Sequence, residues 1–103
     1  MADNHPTHEM HLIEAAKKGD AKAQKQIYET YAPLMLSVCL RYMGDMDTAK
    51  DLLQDGFIKL FAKLDTFAGT GAFAGWVRRV FVTTCLESLR QKTALKLSTP
   101  LDY

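Results

Sequence analysis

Cysteine, long apolar runs and targeting signals are scarce in this 103-residue chain. Its two cysteines, Cys39 and Cys85, are too far apart for a zinc site and too few for a disulfide framework, so a secreted disulfide scaffold is excluded. The longest apolar run, residues 34–40, is interrupted by Ser37 and is shorter than the ~18 residues of a membrane span. The opening MADNHPTHEM has neither a basic nor an apolar stretch, so no signal peptide is expected. We therefore expect a cytoplasmic protein without a membrane partner.

The composition is that of a single folded domain. Hydrophobic residues make up 48% and charged residues 24% of the chain, which suits one modest core. The net charge of +1 is unevenly distributed: residues 1–65 carry eight basic and ten acidic residues, whereas residues 66–100 carry five basic residues and one acid, Glu87. This asymmetry predicts two surfaces for two kinds of partner, although a random scatter of solvated charges gives the same counts.

The apolar spacing predicts an all-α fold, a single compact bundle of about four helices. We expect these helices over about residues 9–18, 21–43, 48–64 and 72–92. Pro33 predicts a kink or short break near Ala32, and the segment LMLSVCL, apolar on nearly every side, predicts burial among neighbouring helices. The β-branched VFVTT is compatible with a strand by propensity, but the length of its uninterrupted segment favours a helix.

The two ends of the chain differ from the helical middle. Residues 1–8 are polar and contain Pro6, so we expect a flexible leader before a domain that covers residues 9–93. Residues 94–103, which end in LSTPLDY, are expected to begin an interdomain linker.

Nothing in the sequence resembles a catalytic centre. The segment GTGAFAG lacks the lysine of a phosphate-binding loop, and no nucleophile arrangement of His, Cys and carboxylate is present, so we expect no enzyme. His5, His8 and His11 recur at a spacing that suits a helical metal site, but Pro6 argues against a regular helix through all three. A solvated leader is the simpler interpretation, and neither a metal nor a cofactor is expected. The cysteines are most simply buried apolar residues.

Two surfaces are candidates for binding. The first lies on the third helix, where Asp51, Gln54, Asp55 and Ile58 share one face. Two carboxylates and an amide around an apolar anchor are typical of a docking patch for a basic partner. An ordinary solvated face with one exposed isoleucine remains the alternative.

The second surface runs from a loop into the fourth helix. Its candidate DNA-binding residues are Thr66, Phe67, Gly69, Thr70, Gly71, Phe73, Trp76, Arg78, Arg79, Thr83 and Arg90. Aromatic rings stack on unpaired bases, hydroxyls reach base edges, and arginines hold phosphates. Helical spacing also places Arg79, Thr83, Leu86 and Arg90 on one face. Phe73 and Trp76 equally fit a core stripe, which leaves their burial open.

The order of these parts resembles region 2 of the extracytoplasmic-function (ECF) sigma factors of bacterial RNA polymerase. The resemblance spans about residues 12–92 and is carried by AKDLLQDGFIKLFAKLDTF, a short loop, and FAGWVRRVFVTTCLESLR. The matching positions are Ala49, Asp51, Leu52, Gln54, Asp55 and Phe57, then Phe73, Trp76, Val77, Arg79 and Val80, and finally Leu89 and Arg90.

The resemblance implies a role for each surface. The helix that bears Asp51, Gln54 and Asp55 would bind the clamp helices of the largest subunit of the RNA polymerase core. The loop and the fourth helix would open the −10 promoter element and hold a flipped base of the single-stranded non-template DNA, with residues 65–73 as the base pocket. The family also has a second domain that reads the −35 element, and commonly an anti-sigma factor as a further partner.

Two positions depart from the family pattern. Thr83 stands where asparagine is common, which removes a donor and acceptor pair from the helix that would read the base. Glu87 stands where aspartate is common, and we expect it to keep a local ion pair. The alternative function is therefore a helical protein-interaction module that has lost DNA binding.

Overall fold

The computed structural model describes residues 6–69 and 71–98 of the chain. These residues form four α-helices: α1 (Pro6–Lys17), α2 (Ala21–Met43), α3 (Met46–Lys63) and α4 (Phe73–Ser98). A 3-10 turn, Leu64–Thr66, leads from α3 into the loop before α4. No strand occurs in these two ranges, and VFVTT is helical. The prediction of an all-α bundle of four helices is confirmed.

The helices end where the local chemistry stops them. Gly19 and Gly44 have φ values of 91° and 86°, the left-handed conformation that commonly closes a helix. Asp45 caps α3, because its carboxylate accepts a hydrogen bond of 2.9 Å from the backbone N–H of Thr48. Asp20 occupies the same position before α2, but its side chain makes no capping hydrogen bond.

Two helix boundaries lie outside the predicted limits. Helix α1 begins at Pro6, three residues before the predicted start, because proline suits the first turn of a helix. Helix α4 continues to Ser98, since no glycine or proline stops it. Parts of the expected leader and linker are therefore helical, while residues 1–5 and 99–103 lie outside the described residues.

Two expectations about α2 are wrong. The helix runs unbroken through Pro33, whose ring faces solvent, so the carbonyl left without its amide donor lies on the exposed side of the helix. LMLSVCL is also not buried on every side. Met35 and Cys39 face the core, whereas Leu34 is 58% exposed.

The core lies where α2, α3 and α4 meet, and α1 adds Ile13 and Ala16 to it. Phe81 of α4 is fully buried, and its ring meets that of Phe57 edge-on at 5.0 Å between centroids. The ring rests against the backbone of Gly56 on α3. This close approach brings α3 and α4 together and fixes the spacing between the two candidate surfaces. Among the described residues, no helix is both long and apolar enough to cross a membrane.

Both cysteines are buried in this core as free thiols, as expected. Burial and the neighbouring thiol of Cys85 raise the pKa of Cys39 to about 12. Burial also raises the pKa of Cys85. Because reactivity requires the thiolate, these thiols serve as packing groups in the folded protein.

Candidate nucleic-acid interface

Three aromatic rings anchor the loop between α3 and α4. Phe67 and Phe73 are buried and meet at 5.2 Å between ring centroids. Trp76 lies 5.4 Å from Phe67 and 5.7 Å from Phe73, and it is only half-buried. The sequence grouped all three as stacking candidates, but the structure separates them. Trp76 is the ring that reaches the surface, and the two phenylalanines support it from below.

The loop turns at two glycines. Gly69 and Gly71 have φ values of 85° and 78°, a conformation that side chains with a Cβ rarely adopt. A Cβ at either position would meet no atom within 4 Å, so the backbone conformation, not lack of space, requires glycine. Thr70, a predicted site residue between them, lies outside the described residues.

A surface pocket of about 230 Å³ opens beside this aromatic cluster. It is lined by Lys63, Thr66, Trp76, Arg79, Val80 and Thr83. The pocket brings together four of the predicted DNA-binding residues, from the 3-10 turn and from α4. It offers an indole ring, two hydroxyls and two cations within one concave site. That combination suits an unpaired nucleotide, since its base stacks on an aromatic ring and its phosphate pairs with cations.

Lys63 belongs to this pocket, although the sequence analysis did not select it. It is the last residue of α3, and the backbone carbonyl of Lys63 accepts a 2.6 Å hydrogen bond from the Thr66 hydroxyl. The hydroxyl of Thr66 is thereby directed at the backbone. A signal was present in the sequence: a cation directly before the predicted loop.

The two remaining predicted arginines lie in other grooves. Arg78 faces α2 and lines a groove of about 360 Å³ together with Arg41 and the exposed Leu34. Arg90 lies further along α4 beside Leu86. The expected outward face of α4 is confirmed, because Arg79, Thr83, Leu86 and Arg90 are all exposed. The predicted set thus covers the outer surface of α4 and does not form one cavity.

One acidic residue lies within this basic surface. Glu87 accepts a hydrogen bond of 3.0 Å from Lys59, which joins α3 to α4 and confirms the expected ion pair. Lys59 holds the pKa of Glu87 below its usual value, and Lys63 and Arg90 contribute in the same direction. The carboxylate therefore stays ionised at neutral pH and offsets part of the positive charge beside the pocket.

The other candidate surface lies on the outer side of α3. Asp51, Gln54 and Asp55 are exposed, and Ile58 is 62% exposed although it is a large aliphatic side chain. The opposite side of the same helix contributes Leu52, Phe57 and Leu60 to the core. The four predicted docking residues therefore form a polar face with one apolar anchor, held on a rigid helix.

Comparisons with known proteins agree with this geometry. A family model described as Sigma-70 region 2 matches residues 27–94. The ECF RNA polymerase sigma factor SigW of Bacillus subtilis is 29% identical over 80 residues, which cover 78% of this chain and 43% of that protein. The ECF RNA polymerase sigma-E factor of Escherichia coli K12 is 37% identical over 78 residues, 76% of this chain and 40% of that protein. The chain thus spans less than half the length of these relatives.

A solved structure is similar over almost the whole chain. It is an engineered region 2 of sigmaE in a complex with GTAAAA, studied by NMR, with a TM-score of 0.78 and 28% sequence identity. The similarity covers 95% of this chain and 99% of that one. The chain belongs to the sigma-70 region 2 family, and its curated relatives place it among the region 2 domains of ECF sigma factors.

Proposed function

We propose that this chain is the part of a bacterial transcription initiation factor that binds the RNA polymerase core and the single-stranded −10 promoter element. The observation that carries the DNA-binding half is the pocket that unites Thr66, Trp76, Arg79 and Thr83. A strand that crosses α4 would stack one base beside Trp76, with its phosphates near Arg79 and Lys63. The GTAAAA complex of the sigmaE relative supports a ligand of this class.

The face on α3 carries the polymerase-binding half of the proposal. Its exposed carboxylates and the apolar Ile58 suit a partner surface that is basic around a hydrophobic depression. We propose that this partner is the pair of clamp helices on the largest polymerase subunit. The chain then acts where the polymerase acts, in the bacterial cytoplasm, and it directs the chemistry of the polymerase without a catalytic centre of its own. An anti-sigma factor that covers either face is a further proposed partner.

The second candidate function is a protein-interaction module without DNA binding. Two observations favour it: Thr83 supplies a single hydroxyl to the pocket, and the Lys59–Glu87 ion pair neutralises part of the basic surface. This candidate keeps the α3 face and removes the role of the pocket.

Binding to single-stranded DNA separates the two candidates. The probe is a fluorescent GTAAAA strand, and its affinity is measured by anisotropy at several salt concentrations. Arg79→Ala with Arg90→Ala is expected to weaken binding and to lower the salt slope by about 2, one for each lost phosphate contact. Lys22→Ala with Lys25→Ala, which removes two exposed cations from α2, is the control for net charge. Equal affinity in both double variants would contradict the DNA-binding role of α4.

A further inference from the structure

A single side-chain hydrogen bond connects the first helix to the loop beside the pocket. The ammonium of Lys17 on α1 donates to the backbone carbonyl of Phe67 at 3.1 Å. The same nitrogen lies 3.4 Å from a carboxylate oxygen of Glu14, one turn earlier on α1. The Lys17 side chain is only 19% exposed. Its stem is thus held against the protein and its charged end is directed at the loop.

Phe67 is the residue at which the loop leaves the 3-10 turn. Its N–H donates to the carbonyl of Leu64 at 3.1 Å, which closes the turn. Its buried ring lies beneath Trp76, the surface ring of the pocket. A charged donor makes a stronger hydrogen bond than a neutral one, so Lys17 fixes the direction in which the chain continues towards Gly69.

Lys17 does not itself line the pocket. Every residue that lines it comes from α3, from the 3-10 turn or from α4. An effect of Lys17 on DNA binding must therefore pass through Phe67 and the loop. This separation distinguishes positioning from direct contact, because only a direct contact with phosphate changes the number of counterions released.

We propose that Lys17 is a positioning residue for the DNA pocket. It holds Phe67, and through Phe67 it sets the orientation of Trp76 and the shape of the loop. The inference rests on the proposed function of the pocket. It extends the site to α1, which the sequence analysis left without a function.

The test compares variants at two neighbouring lysines. Lys17→Met keeps the aliphatic stem and removes the donor, while Lys17→Arg keeps a charged donor. Lys18→Met is the matched control, because Lys18 is exposed and carries the same charge. Affinity for the GTAAAA strand is measured at several salt concentrations. Emission and acrylamide quenching of Trp76, the only tryptophan in the chain, are recorded without DNA.

We expect Lys17→Met to bind the strand about fivefold more weakly than Lys18→Met, the effect of one charge-assisted hydrogen bond. The salt slope is expected to stay the same, Trp76 to change its quenching, and Lys17→Arg to recover most of the affinity. Lys17→Gln, whose shorter amide cannot span the same distance, carries the same expectation if the methionine variant does not fold.

Three results would overturn the inference. Equal affinity of Lys17→Met and Lys18→Met, with wild-type binding intact, removes the role of Lys17 and leaves the proposed function in place. A fall of the salt slope by about 1 in Lys17→Met shows direct phosphate contact instead of positioning. A folded wild-type chain that does not bind the strand overturns the proposed function, and this inference with it.

Discussion

The ring of Phe81 on α4 lies directly on the backbone of Gly56 on α3. A Cβ built on Gly56 would overlap two atoms of this ring and lie 2.9 Å from a third, Cζ. Phe81 has no exposed surface, so the ring cannot move aside into solvent. The absence of a side chain at position 56 therefore lets the two helices that carry the candidate surfaces approach closely.

Gly56→Ala is expected to destabilise the protein although alanine favours helices. Overpacking of a core typically costs about 1–3 kcal/mol, and the gain in helix propensity offsets about 1 kcal/mol of that. We expect a net loss of about 1–2 kcal/mol, measured by urea unfolding. Gly75→Ala is the control, because a Cβ there meets no atom within 4 Å and α4 is helical at that point. A Gly56→Ala variant as stable as wild type would contradict this packing.

The sequence predicted the fold well because its apolar periodicity is strong. The bounds of α2 matched the apolar spacing and the glycine at its end. The break at Pro33 was wrong, since the burial of the rest of α2 outweighs one missing hydrogen bond on a solvent-exposed side. The contact of Gly56 with Phe81 was beyond prediction, because it depends on how two helices separated by a loop cross each other.

The candidate site was only partly predictable for the same reason. Residue type and helical spacing selected Trp76, Arg79 and Thr83, which the structure places in one pocket. Spacing along one helix did not show that Lys63 joins them, because Lys63 lies on another element. The contact of Lys17 with Phe67 crosses from α1 to the loop, and single-sequence patterns contain no information about such pairs.

The cap of α3 is expected to make stability depend on pH. Hydrogen bonds from Thr48 lower the pKa of Asp45 below its ordinary value of 3.8. The stabilisation is therefore fully present above pH 3.8 and is lost as the pH falls through the lowered pKa. Asp45→Ala is expected to lower Tm at pH 7 and to approach wild type at the acidic end. Asp20→Ala is the control, since Asp20 makes no capping hydrogen bond. An equal loss in both variants at pH 7 would contradict the assigned cap.

The acid within the basic surface is expected to weaken DNA binding. Glu87→Gln removes a negative charge beside Arg90 and frees Lys59 to meet a phosphate. We expect tighter binding of the GTAAAA strand and a salt slope steeper by up to about 1. Glu29→Gln is the control, because Glu29 pairs with Lys25 on α2 at 4.0 Å. Unchanged affinity in Glu87→Gln, or an equal gain in Glu29→Gln, would show that Glu87 does not act on this surface.

The most direct test of the whole account is a binding titration against bacterial RNA polymerase core. Gln54→Ala with Asp55→Ala removes two polar groups from the α3 face. Gln26→Ala with Glu29→Ala removes the same chemistry from the exposed side of α2 and serves as the control. We predict tight binding by the wild-type chain and the control, and at least about tenfold weaker binding by the α3 variant with its fold intact by circular dichroism. No binding by the folded wild-type chain at micromolar concentration, or equal losses in both double variants, would contradict the account.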